Sequence, residues 1–525
     1  MPSLTKINRS AATLTKNRTE DSIVPPSGMC VTCVDGCIGM CEIGKSAYRG
    51  HEVIYPQPFG IITTASEKEY PVDYSHFTIL GTIIGAHGIE ADSDKAIFPN
   101  VKLEQHINGL KFKLPIMIPG LGSTNVALNN WEGLAIGSAL AGTGLTIGEN
   151  VVGMDVESEI VNGKVKRSPE LERRVKMYQK WQRDGYGVIV LQANVEDTRL
   201  GVQEYGIREL GVKAVELKWG QGAKDIGGEV KIKNLVKAQL LKKRGYIVLP
   251  DPLDEKVIKA FEAGAFKEFE RHSRVGMVTE ESFLQRVQEL RDAGAKYVFL
   301  KTGAYRPADL ARAVKFASKA RIDLLTVDGA GGGTGMSPWR MMNEWGVPAV
   351  ELHSLLYQYV DRLAKKGEYV PAIAVASGIT FEDQMYKALA LGAPYVKLLG
   401  MARGPLAAAM VGKTIGRTIN EGMIPVYVER FGSTVEEIFV TAVDLKHELG
   451  ADTFKEIPTG ALGLYTYFER LAQGLRQLMA GNRKFTLDHI ERDDIASLTR
   501  EAAEISGITY VMDVDQEEVE RILES

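Results

Sequence analysis

Cysteine is scarce in this chain: four among 525 residues, and none after position 41. A framework of many disulfides is thereby excluded. In a reducing compartment so tight a group reads as metal ligands or catalytic thiols. Long apolar runs are missing too. The nearest, "LAIGSALAGTGLTIG" (Leu134 to Gly148), is broken by glycines and too short for a bilayer, which takes about 20 residues. The opening stretch "MPSLTKINRSAATLTKNRTEDSIVPPSG" holds no apolar segment of signal-peptide type. A cytoplasmic location with no membrane partner is therefore expected. Nor is charge of one sign in excess. A net charge of -4 argues against a general nucleic-acid binder, which would carry a basic stripe.

Glycine, by contrast, is abundant. The 54 glycines gather in short runs after apolar segments, where a backbone can approach a phosphate closely. Residues 1–27 read as a polar arm, and 28–113 as a cysteine-cluster and irregular extension. From Leu114 short apolar runs alternate with helical patterns: "LPIMIPG", "TGLTIGE", "GVIVLQAN", "KAVELKWGQG", "KYVFLKTG", "DLLTVDGAGGG", "AIAVASG" and "YVKLLGMARG". Continuous apolar strands separated by helices imply a parallel sheet covered on both faces. Eight such units predict an α/β fold, a (β/α)8 TIM barrel over 114–420 with its site at the C-terminal ends of the strands. An open doubly wound sheet is the rival, but no G-x-G-x-x-G fingerprint is present. "YIVLPDP" (Tyr246 to Pro252) and "PAVELH" (Pro348 to His353) read as extra strand-like pieces in insertions. Residues 421–525 read as a helical extension.

Several strand ends carry residues suited to chemistry. In "GAGGGTGMSP" (Gly329 to Pro338), the amides around Gly329, Gly332, Gly333 and Thr334 could converge on an anion or planar ligand, where the plain alternative is a turn. Ser377 and Gly378 in "VASG", with Gly400, Met401 and Arg403 in "LLGMARG", end the last two strands. In such barrels those loops often hold a phosphate. Lys218, Gln221 and Lys224 cluster in "ELKWGQGAKDIGGE", where they could bind a carboxylate or a reduced, anionic flavin, or be solvated surface groups. Lys301 ends the apolar strand "YVFLK". An inward lysine there is costly unless paired, which favours a functional role. His272 and His353 are weak signals, more readily structural than catalytic.

These pieces together resemble the flavin domain of the glutamate synthase family. "GAGGGTGMSP" resembles its D-G-G-T-G-A-S-P segment, and "GQGAKDIGGE" its Q-G-A-K-P-G-E-G-G. "PGLGS" (Pro119 to Ser123) is similar to its first flavin-contacting turn, "TIGENVVG" with Glu149 to its T-G-E-G-G, and "LQAN" with Gln192 to its Gln-Val-Ala-Ser. The resemblance runs in order over about residues 110 to 480 and implies an FMN-binding barrel. It places Gly120, Leu121, Gly122, Ser123, Gln192, Lys301, Gly378, Gly400 and Met401 against FMN, with Lys218, Gln221 and Lys224 on the substrate side. Departures are equally specific. Asp328 stands where the family motif has serine, and Gly331 where it has aspartate. No counterpart is seen of the glutaminase domain with its cysteine nucleophile, of the three-cysteine segment after the barrel, or of the β-helix domain. Ammonia release from glutamine is therefore not expected.

A flavin that turns over needs an electron source, and "CVTCVDGCIGMC" is the candidate within the sequence. Cys30, Cys33, Cys37 and Cys41 have the spacing C-x2-C-x3-C-x3-C. Four thiolates in one compact loop suit an iron–sulfur cluster, most simply [4Fe–4S]. Zinc is the main alternative, although its four-cysteine sites favour two separated C-x2-C pairs, and disulfides or free thiols are the remaining one. The resulting expectation is an FMN-dependent oxidoreductase in which Lys218, Gln221, Lys224, Lys301 and Asp328 carry the chemistry. It would take electrons from an external donor such as a ferredoxin or a reductase subunit and reduce an imine such as 2-iminoglutarate. Assembly into a homo-oligomer is also expected. A flavin dehydrogenase or reductase for another small acid, an electron-transfer subunit, and a non-catalytic zinc-bearing barrel remain the alternatives.

Overall fold

The computed structural model describes residues 47–49, 68, 70–220, 229–330 and 337–525. Eight parallel strands close into a barrel: β1 (Ile116–Leu121), β2 (Gly144–Ile147), β3 (Val188–Ala193), β4 (Ala214–Lys218), β5 (Tyr297–Thr302), β6 (Leu324–Asp328), β7 (Ala372–Ala376) and β8 (Val396–Gly400). Each pairs with its neighbours in sequence, and β8 returns to β1 through Leu399↔Ile116 and Gly400↔Met117. All eight apolar runs are strands of this barrel, because a strand covered on both faces is apolar at every position rather than at alternate ones.

Alternation still decides which way each side chain points. Met117, Val188, Val190, Ala214, Phe299, Leu324, Ala374 and Leu398 fill the lumen, whereas Ile189, Leu191, Val215, Leu300, Leu325 and Leu399 pack outward under the helices. The lower end of the lumen is stoppered by an antiparallel hairpin, Gln105–Ile107 with Leu110–Phe112. Its Ile107, Leu110 and Phe112 join the lumen cluster. The stretch before residue 113 read as irregular therefore contains the barrel's base.

Three labelled helices matter below: α1 (Asn125–Leu140), α2 (Ala349–Lys365) and α3 (Arg403–Glu421). Thr124 caps α1, its hydroxyl accepting from the Ala127 amide. "YIVLPDP" does supply a strand, Ile247–Leu249, in an inserted sheet with Glu229–Ile232 and Phe269–His272. "PAVELH" does not: it is the first turn of α2, capped by Pro348. The continuation "SLLYQYVDRL" keeps an apolar stripe at helical spacing, which overrides the strand-like start. After residue 420 the chain is mostly helical, and its short strand Ile495–Ser497 pairs with Phe77–Ile79.

Candidate functional site

The inward positions change character at the C-terminal ends of the strands. Below they are apolar; above come Gln192 on β3, Glu216 and Lys218 on β4, Lys301 on β5, and Thr326 and Asp328 on β6. Lys301 is 5% exposed, and its Nζ lies 3.2 Å from Asp328 Oδ2. Burial works against the lysine's charge, but Asp328, Glu216 and Glu149 outweigh it and hold the ammonium above its ordinary pKa. Glu216 is buried beside it and accepts from Gln192 Nε2 at 2.6 Å. Burial raises the Glu216 pKa, against the pull of Lys301, Gln192 and Lys218. Lys218 Nζ pairs with Glu149 Oε1 at 2.8 Å. Strand and loop ends far apart in sequence thus meet in one polar layer.

Two turns back onto this layer. In Gly120–Ser123, a Cβ at Gly120 would come within 2.6 Å of Gln192 Oε1, and one at Gly122 would overlap the Glu149 carbonyl. In the facing turn, Gly148 donates its N–H to the Leu121 carbonyl at 3.0 Å. Gln192 Oε1 is buried with no hydrogen-bond partner among the described residues. A buried acceptor left without a partner beside this turn suits an N–H of a bound planar group.

At the ends of β7 and β8 the picture is mixed. Ser377 has φ 100 and Gly378 φ 72, so a non-glycine residue sits in backbone space that favours glycine, the kind of strain that gathers at functional sites. Ser377 Oγ donates to the Ala330 carbonyl at 3.3 Å, linking β7 to the start of the glycine-rich segment. Gly400 packs closely on Ala376. The Met401 amide is spent within the barrel, donating to the Met117 carbonyl at 3.0 Å, and the Gly329 amide donates to the Ala376 carbonyl at 3.2 Å. Neither is therefore offered to a ligand. Arg403 is exposed at the first turn of α3, whose N-cap Ala402 makes no side-chain cap.

Gln221, Lys224, Gly331, Gly332, Gly333, Thr334 and the four cysteines Cys30, Cys33, Cys37 and Cys41 lie outside the described residues. Among the described residues no group of three or more His, Cys, Asp or Glu side chains is placed to hold a metal, and no helix is long and apolar enough to cross a membrane. His272 pairs with Glu270 at 3.2 Å in the inserted sheet. His353 is buried on α2 with Nδ1 2.8 Å from the Tyr74 hydroxyl.

Further residues support the site without having been singled out in the sequence. Glu216 carried the same signal as Lys301, a charge inside an apolar strand. Asn150, Asp197 and Arg271 carried none. The Asn150 amide donates to Asp197 Oδ2 at 2.8 Å, and Arg271, buried on the inserted sheet, donates to Asn150 Oδ1 at 3.3 Å. Burial, with help from Glu149, pushes the Asp197 carboxyl up to about 7.

Residues 271–411 match the family model described as the conserved region in glutamate synthase. Over 200 residues the chain is 30% identical to a glutamate synthase large subunit-like protein, YerD, of Bacillus subtilis (strain 168). That match covers 37% of this chain and 33% of the relative, so the chain spans about a third of the relative's length. Among solved structures it is similar to the flavin-binding domain of baker's yeast flavocytochrome b2 (13% identity, TM-score 0.46, 85% of this chain and 81% of that one). It is also similar to a mandelate oxidase variant with (S)-mandelic acid (15% identity, TM-score 0.44, 80% and 86%). The segment that matches the glutamate synthase region holds β5 to β8 with Lys301, Asp328, Ser377 and Gly400.

Proposed function

We propose that the protein is an FMN-dependent oxidoreductase of glutamate-synthase type. The observation that carries this reading is the polar layer of buried Gln192, Glu216 and Lys301 with the partly exposed Asp328, at the mouth of a closed barrel whose second half matches the glutamate synthase region. The residues present fit a flavin. Gln192 Oε1 is a buried acceptor without a partner among the described residues, Gly120 and Gly122 let the turn lie directly against Gln192 and Glu149 where a Cβ would clash, and Lys301 is a buried cation at the strand ends. Gly120 to Ser123, Gln192, Lys301, Ser377, Gly378 and Gly400 are the residues we assign to hold it, with Arg403 on the phosphate side. FMN bound there supplies hydride transfer.

The chain's own groups would orient and polarise. Lys301 offers a fixed positive charge to an electron-rich ring edge. Lys218, steadied by Glu149, would bind the carboxylate of the substrate together with Gln221 and Lys224. A substrate such as 2-iminoglutarate would take up a hydride and a proton to give an amino acid. Cys30, Cys33, Cys37 and Cys41 are the ligand set we assign to a [4Fe–4S] cluster, the entry point for electrons from an external donor such as a ferredoxin or reductase subunit. Asp328, in place of the family's serine, favours as a second reading a small acid or amine substrate other than 2-iminoglutarate.

Anaerobically purified protein should carry flavin absorption and about four irons per chain, the number a [4Fe–4S] cluster requires. The reduced form should be reoxidised by 2-oxoglutarate with an amine. Flavin without such reoxidation would support the second reading, zinc with flavin would remove the cluster, and no flavin would end the oxidoreductase reading.

A further inference from the structure

We propose that Arg174 is a positioning residue of the cofactor site: it grips the Leu121 and Gly122 carbonyls from behind β1 and so turns the Gly122 and Ser123 amides into a donor pair for the bound ring system. This rests on the flavin reading above. Arg174 lies on the helix Pro169–Trp181, in a stretch whose sequence shows only a charged amphipathic pattern. The side chain is 1% exposed. Nη1 donates to the Gly122 carbonyl at 2.9 Å and to the Leu121 carbonyl at 3.3 Å, while Nε donates to Glu170 Oε1 at 2.7 Å. The guanidinium lies 4.7 Å from the ring centre of Trp131, itself fully buried on α1. Burial acts to neutralise Glu170, but Arg173 and Arg174 prevail and keep its carboxyl below the usual range.

Burying a guanidinium is expensive, and an apolar side chain of similar volume would fill the space beside Trp131 at less cost. What such a side chain could not do is hold two consecutive carbonyls. A trans peptide is planar, so its C=O and N–H point in opposite directions. With the Leu121 and Gly122 carbonyls fixed on Arg174, the N–H groups of Gly122 and Ser123 point away from it. Among the described residues neither amide has an acceptor. Two adjacent donors aimed the same way suit an electron-rich ring edge or a ring carbonyl. The turn has little freedom to relax otherwise. Gly148 donates to the Leu121 carbonyl at 3.0 Å, and the Glu149 carbonyl closes off the space beside Gly122. Arg174 sets the direction of donors it does not itself present.

FMN titration of flavin-free full-length protein decides it, using the wild type, Arg174→Met, Arg174→Lys and Tyr178→Phe. Tyr178 is the control: it is buried on the same helix but donates elsewhere, to the Thr143 carbonyl at 2.6 Å. Arg174→Met should raise the FMN dissociation constant at least about tenfold, the loss expected for disordered charge-assisted bonds, and alter the visible spectrum of flavin bound at saturation. Arg174→Lys should fall between, and Tyr178→Phe should lose stability but keep the wild-type constant and spectrum. If Arg174→Met does not fold, Arg174→Lys decides by the same criteria. Wild-type binding and spectrum in the Arg174 variants, or equal weakening in Tyr178→Phe, would overturn the proposal. A wild type that binds no FMN would overturn the flavin reading and this inference with it.

Discussion

Lys301 Nζ and Asp328 Oδ2 sit 3.2 Å apart at the ends of adjacent strands, and this pair sets the charge of the barrel mouth. Where the glutamate synthase motif has a serine, this chain opposes the lysine with a carboxylate. In Asp328→Ser the ammonium would be less compensated and would favour a more electron-rich neighbour. The flavin midpoint potential should therefore rise, as read by a spectroscopic redox titration. A potential that falls or stays put would remove Asp328 from control of the site.

The converse change acts on stability. Lys301→Met leaves the buried Glu216 and the partly exposed Asp328 without their cation, a situation that costs about 3–5 kcal/mol when one partner of a buried pair is removed. Urea midpoints near neutral pH should fall accordingly, and the loss should shrink on acidification as Glu216, whose pKa burial already raises, takes up a proton. A pH-independent loss would point to lost packing instead.

Gly122 tests the turn that Arg174 grips. A Cβ there overlaps the Glu149 carbonyl oxygen, a backbone atom that cannot swing aside. Gly122→Ala should destabilise the fold by about 1–3 kcal/mol, as overpacking does, and should lower flavin occupancy in the purified protein. Full occupancy would mean that the turn can move away from Glu149 at little cost.

The eight apolar runs and the glycines after them made the barrel legible in the sequence, because burial on both faces leaves an unbroken signature. Lys301 was legible for the same reason: a charge interrupting such a run has to be accounted for. Arg174 and Asp197 were not. Each lies in a charged, helical-looking stretch, and nothing local distinguishes a solvated arginine from one folded back under β1. The base of the barrel was missed because Gln105 to Phe112 reads as isolated apolar residues among polar ones. Its apolar side acquires meaning only once the lumen exists.

That base gives a prediction separate from the chemistry. Phe112 is fully buried among lumen residues including Met117 and Phe299. Phe112→Ala should cost about 3–5 kcal/mol, the range for large aromatic truncations in a core, while leaving the spectrum of bound flavin unchanged, since the polar layer lies at the opposite end of the strands. A changed spectrum would show that the base and the mouth are mechanically coupled.

Two buried groups should impose opposite pH dependences on stability. Burial pulls the His353 imidazole down to about 4, although Asp328 opposes the shift. Between that value and an unfolded pKa of about 6.5, the unfolded chain binds a proton that the folded one refuses. The His353 contribution is therefore present above about 6.5 and lost as pH falls towards 4, a displacement worth about 3 kcal/mol. Asp197 behaves in the reverse sense. Its folded carboxyl, raised to about 7, holds a proton that the unfolded chain gives up. That contribution is complete below about 3.9, the unfolded value, and disappears as pH rises to 7. In the wild type the two slopes oppose each other across the acidic range, so its stability curve should be flatter than either alone. Asp197→Asn should uncover a curve that rises with pH, and His353→Gln one that falls. Urea midpoints across this range would settle the matter, and parallel curves for all three proteins would mean that neither group titrates there.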